Sequence, residues 1–146
     1  MATTLLLIAV AIAGGIAVAI QGQFMGVMDQ TIGTAESIFI TYVGGGSIMA
    51  LVMLASSWGN LQAWHTVPWY VLTSGVLGIV VVGTIGYVIP RLGLVTGFTL
   101  IVASQFMLGL LIDAQGWFGA EVRPLTPPKL VGLGLLLAGI TLIMKK

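Results

Sequence analysis

No Asp, Glu, Lys or Arg occurs before Asp29, between Glu36 and Arg91, or between Arg91 and Asp113. Charge-free stretches of that length cannot coat a water-facing surface. Soluble domains carry roughly 25% charged residues. This chain of 146 residues carries 6%, against 58% hydrophobic residues. Lipid therefore replaces water around most of the chain. An ordinary soluble enzyme and a disordered chain are excluded. So is a nucleic-acid binder, because a net charge of +1 gives no basic footprint. The absence of cysteine rules out disulfides, thiolate metal sites and thiol redox chemistry.

A membrane-spanning helix needs about 20 mostly apolar residues. Five stretches come close to that length or exceed it: residues 4–25, 36–57, 68–89, 94–112 and 128–144. Their continuous apolarity selects helices, because a barrel strand alternates with period two. The first stretch is too long and too glycine-rich for a signal peptide, and it lacks a basic leading segment. Residues 29–34 read as a polar break, and Pro90-Arg91-Leu92-Gly93 as a tight turn. Residues 58–66 read as an interfacial loop, with Trp58, Trp64 and Trp69 as belt residues. Pro68 suits the first turn of the third helix. The connections are too short for a catalytic or receptor domain. The expected fold is all-α: one transmembrane domain over residues 1–146, a polytopic bundle of about five helices whose chemistry takes place between them.

Five spans place the termini on opposite faces. The N-terminal face holds Arg123 and Lys129; the other holds Arg91, Lys145 and Lys146. The positive-inside rule slightly favours the C-terminus inside. Two readings stay open. One is a single orientation set by a weak bias. The other is dual topology, with copies inserted both ways, because many transporters place their site between inverted-topology repeats.

Glycine supplies 21 residues, mostly in or beside the spans. Lipid does not drive helices together by hydrophobicity, so small residues that let backbones approach matter more. Gly132 and Gly139 lie seven apart, on one face of the last helix, and are the candidate dimer contact. The expected partners are lipid, a small-molecule substrate, and a second copy or a paralogous half. The dimer is antiparallel, or else parallel or heteromeric.

Polar groups inside the spans are few. Glu36 is either a carboxylate favoured by a helix N-terminus after Thr34, or a proton- or cation-binding group at a cavity mouth. Gln21 and Gln105 are either helix–helix glue or substrate-facing amides. Tyr87, like Tyr42, either packs and anchors or lines a cavity. These four, Gln21, Glu36, Tyr87 and Gln105, are the substrate and cavity candidates. His65 reads as an interfacial histidine and Asp113 as an interfacial carboxylate. There is no phosphate-binding GxxxxGK[ST], no HExxH and no GxSxG. No catalytic residue, metal or cofactor is expected, and no enzyme.

The chain resembles the short, five-helix YdcZ-like family of the drug/metabolite transporter superfamily over nearly its whole length. The resemblance begins with Ala13-Gly14-Gly15 leading to Ile20-Gln21, then Ile32-Gly33-Thr34 and Gly44-Gly45. It continues through Pro68-Trp69-Tyr70, Gly75, Gly78 and Pro90-Arg91-Leu92-Gly93. Its most specific tract is Ser104-Gln105, Ile112-Asp113, Trp117-Phe118-Gly119, Pro124-Leu125-Thr126 and Leu130-Val131-Gly132. Departures fall at Met25, where the family often has Asn, at Ser104, where it has Gly, and at Ala114-Gln115, where it has His-Phe. The last helix is also similar to the dimer-forming helix of small multidrug resistance proteins. Here, however, the first span lacks their embedded acid.

The resemblance implies a bacterial inner-membrane carrier of a small metabolite or drug-like molecule. Such a carrier works by alternating access, and this chain would form half of an inverted-repeat architecture. The rival functions are a small dimeric ion channel and a non-transporting accessory subunit. Five spans predict that reporters fused to the two termini report opposite faces in every molecule. Reporters on one face would remove a span.

Overall fold

In lipid every backbone polar group must be satisfied within the chain, and a long apolar sequence does so by coiling into helix. A computed structural model describes residues 2–145. Its long helices are α1 (Ala2–Ile32), α2 (Thr34–Ala55), α3 (Ser74–Leu92), α4 (Leu94–Gln115) and α5 (Pro127–Met144). Among the described residues five segments are long and apolar enough to cross a membrane, the third being Trp69–Leu92. No strand occurs among the described residues. The fold is an all-α polytopic membrane protein.

The breaks differ from the sequence reading. Residues 29–32 do not interrupt the first helix; α1 runs through them to Ile32. The polar side chain responsible for the expectation, Asp29, is buried and bonded to other helices instead of facing water. The chain turns at Gly33 alone, where φ is 104° and an L side chain is strained. Likewise Pro90-Arg91-Leu92 is the end of α3, and the break falls at Gly93, φ 83°. Pro90 removes the N–H that would bond the Gly86 carbonyl, and its ring packs against Gly26 of α1. Pro68 lies before a short 3-10 turn, Trp69–Thr73, so α3 proper starts later than expected. Asp113 lies inside α4, which ends at left-handed Gly116. Ser57 at φ 53°, with the Trp58 N–H on the Met53 carbonyl at 2.7 Å, wraps the end of α2.

The chain divides into two units, residues 1–91 and 92–146. In the first, one face of α1 is buried: Gly22, Met25, Gly26 and Asp29, the i, i+3, i+4, i+7 stripe of an amphipathic contact. The facing positions are Ser37 on α2 and Ile85, Gly86 and Ile89 on α3. Contacts pair Met25 with Gly86 and Gly26 with Ile89, so α3 runs parallel to α1. Ile38 meets Gly83 and Tyr42 meets Gly78, so α3 runs antiparallel to α2. In the second unit α4 packs on α5, burying Ala103 and Ile140. Most large apolar side chains, Leu6, Phe39 and Leu135 among them, point outward to lipid.

Close approach rests on the glycines of α3. A Cβ at Gly83 would stand 2.9 Å from Ile38 Cδ1, and one at Gly86 3.3 Å from Met25 Cε. Nothing lies within 4 Å of such an atom at Gly14. Overpacking a tight helix contact costs about 1–3 kcal/mol. Gly86→Val should therefore lower thermal stability in detergent by about that amount, whereas Gly14→Ala should leave it unchanged or slightly raised.

Candidate functional site

Three helix ends of the first unit meet at one carboxylate. Asp29 lies in the last turn of α1, Thr34 opens α2, and Arg91 lies in the last turn of α3. The Thr34 hydroxyl donates to Asp29 Oδ1. Arg91 Nη1 donates to Asp29 Oδ2 at 2.9 Å and to the Tyr87 carbonyl at 2.6 Å. Four residues separate Tyr87 from Arg91, which puts them on one helix face. The guanidinium carbon stands 3.7 Å from the Tyr87 ring centroid, a cation–π contact that orients it toward α1. The Asp29 side chain is 3% exposed and that of Arg91 48%. One charge is therefore sealed and the other reaches the surface.

Behind this node lies a buried layer. Met25 is 1% exposed and Ser37 0%. The Ser37 hydroxyl donates to the Thr34 carbonyl at 2.9 Å, so it is satisfied inside α2. The bare backbone of Gly86 leaves room for both residues: a Cβ there would stand 3.6 Å from Ser37 Oγ.

Beyond the layer a groove of about 390 Å³ opens, lined by Gln21, Thr41, Tyr42, Gly45, Gly46, Met49 and Val82. Thr41 is occupied, donating to the Ser37 carbonyl at 2.8 Å. Gln21 and Tyr42 have no side-chain hydrogen bond among the described residues. The Tyr42 hydroxyl stands close to where a Cβ of Gly78 would be, so Gly78 admits the tip of that ring against α3. Along their helices Gln21, Thr41 and Val82 stand about 12, 10 and 14 Å from Asp29, Thr34 and Arg91, at 1.5 Å per residue. From the helix ends inward the order is ion pair, buried layer, groove.

The other candidates lie elsewhere. The Glu36 carboxylate rests over Gly33, 2.5 Å from where a Cβ would be, in the first turn of α2. The residue capping α2 is Gly33, without a side-chain bond, and the Thr34 hydroxyl bonds Asp29. Glu36 lines a separate shallow groove with Ile32, Ala35, Phe39 and Ile40. Tyr87 is exposed and holds Arg91. Gln105 belongs to the second unit and is exposed, beside Phe106. Phe106, Leu110, Lys129, Gly132, Leu133 and Leu136 line an apolar groove of about 410 Å³ between α4 and α5. A Cβ at Gly132 or Gly139 would meet nothing within 4 Å. No group of His, Asp and Glu able to hold a metal occurs among the described residues.

Sequence reading passed over Asp29 and Arg91 as parts of turns. The signal was present in the span count: it puts the Asp29 and Arg91 turns on one membrane face.

Residues 6–142 match the family described as "Putative inner membrane exporter, YdcZ", of the drug/metabolite transporter group. No curated protein and no solved structure matches the chain.

Leaving a buried polar or charged group without its partner costs about 1–3 kcal/mol or more, and water at the half-exposed Arg91 side keeps the cost near the lower end. Asp29→Asn and Arg91→Gln should each destabilise the protein. The double variant should lose less than the sum of the two. Additive losses in a double-mutant cycle would mean that the pair contributes no coupling.

Proposed function

Since the chain belongs to this YdcZ family and is an integral inner membrane protein, we propose that it is a secondary transporter exporting a small organic molecule by alternating access. The groove of the first unit is its binding surface. The observation that carries this reading is the pairing of two unsatisfied polar groups, Gln21 and Tyr42, with a wall of glycine backbone, Met49 and Val82. Pockets of this kind bind an apolar body and orient it by a few polar contacts. No charged side chain lines the groove, which favours a neutral, amphipathic substrate over an ion. A channel needs a ring of polar groups or carbonyls along its pore, and the groove lining offers none. An accessory subunit has no use for a polar pair left free at lipid depth.

Three helices leave the groove open along one side, and Gln21 and Tyr42 are exposed. A second copy, or a paralogous half, completes the cavity. The arrangement is half of an inverted repeat, with the Gly132–Gly139 face as the contact. The near balance of Arg and Lys between the faces supports antiparallel pairing.

Flux of a panel of neutral amphipathic compounds from proteoliposomes tests the reading. Saturable efflux should fall about tenfold or more in Gln21→Leu and Tyr42→Phe, each losing a charge-free hydrogen bond worth roughly 1 kcal/mol plus its orienting effect. Conductance without saturation would establish a channel instead. Gly132→Leu combined with Gly139→Leu should lower the dimer fraction in single-molecule bleaching, because bulky branches separate the helix axes where packing is the main attraction. An unchanged dimer fraction would move the contact elsewhere.

A further inference from the structure

The sealed end of the first unit has the parts of a gate. Ser37 and Met25 close the path between the helix ends and the groove, at 0% and 1% exposure. Outside them a single carboxylate joins α1, α2 and α3 through Thr34 and Arg91. We propose that the Asp29–Arg91 pair is the latch of this gate: while it is closed, the buried layer blocks the groove from that membrane face, and its release opens the face to the groove. The proposal rests on reading the groove as the transport site.

Three features distinguish a latch from an inert clamp. First, the pair is half wet. Arg91 is 48% exposed, so water can take over its hydrogen bonds as they break, and the helices need not unfold. Second, all three helices share one acceptor group, so losing the Arg91 bond leaves α3 held at this end only by the packing of Gly86, Ile89 and Pro90 on Met25 and Gly26. Third, the latch sits between two backbone breaks. Gly33, φ 104°, lies between Asp29 and Thr34, and Gly93, φ 83°, follows Arg91 by two residues. Hinges that open a site lie at such element ends, where a few residues absorb the backbone change. The other glycine contacts of α3, Gly78 on Tyr42 and Gly83 on Ile38, lie further along the helix and stay packed while the end moves. When the latch opens, Met25 withdraws from Gly86 and Ser37 meets water. The groove then faces the side on which Arg91 lies.

The chain has no cysteine, so one introduced thiol reports alone. Ser37→Cys is nearly isosteric and sits under the latch. In detergent, its reaction with a water-soluble maleimide should be slow when the pair is intact. Adding Asp29→Asn should accelerate it about tenfold or more, as local opening becomes populated. Thr34→Val, which keeps the charge pair and removes one bond, should give a smaller acceleration. Ala103→Cys, buried at 4% exposure in the second unit, reports unfolding there and should keep its rate in both backgrounds, and far-ultraviolet circular dichroism, which reports unfolding of the first unit, should keep its full helical signal. Local acceleration at Ser37→Cys alone supports the latch. Unchanged protection there, or equal acceleration at Ala103→Cys, overturns it. The labelling uses no substrate, so it can fail while efflux through the groove persists. Loss of the transport reading would show instead in liposomes, as no saturable efflux from the unsubstituted protein.

Discussion

A carboxylate buried among helix ends controls the first unit. Within an apolar chain Asp29 is costly unless its charge is met, and a buried pair adds little net stability over apolar packing. What it adds is position. The arrangement of α1, α2 and α3 brings the Thr34 hydroxyl to one oxygen of Asp29 and the Arg91 guanidinium to the other. Lipid supplies no hydrophobic force between helices, so such polar links and close backbone packing decide how they associate. Both are found at this end. Met25, Gly26, Ser37, Gly86 and Ile89 are buried within a few turns of Asp29.

The rest of the unit follows from that concentration. Further along, Gly14 and Gly15 of α1 and Gly44, Gly45 and Gly46 of α2 have open space where a Cβ would stand. The helices are tied at one end and lightly packed toward the other. The groove lies at the change between the two regimes, with Gln21 and Tyr42 beside Val82. A transporter needs this distribution: a firm closure on one side, a site beside it, and surfaces free to rearrange or to receive a second copy.

Much of the fold was legible in the sequence, because it rests on one constraint. Apolar stretches bounded by Asp29, Glu36, Arg91 and Asp113 can only be spans, and all five are helical. Glycine pointed to close packing, and Gly78, Gly83 and Gly86 do lie against side chains of neighbouring helices. Helix ends were less legible. A polar residue marks a boundary only when its partner is water, and Asp29 has Arg91 instead. Proline need not end a helix at once, and α3 carries Pro90 in its final turn at the cost of the bond to the Gly86 carbonyl. For the same reason the ion pair was invisible locally: its partners lie 62 residues apart. Gln21 stands out in the sequence because an amide at lipid depth is conspicuous, and it lines the groove. Thr41 and the Gly45–Gly46 wall carry no such mark, and only the packing of α2 on α3 makes them a groove.

The helices of the first unit are fixed at the Asp29–Arg91 end and loose at the other. Pulsed electron–electron distance measurements between paired spin labels test it directly. One pair joins Gln30→Cys to Val88→Cys, beside the latch and both in the first unit. The other joins Leu6→Cys to Leu77→Cys, both exposed and far from it along the same helices. The account predicts a narrow distribution for the first pair and a broad one for the second. Equal widths, or a broad distribution beside the ion pair, would contradict it.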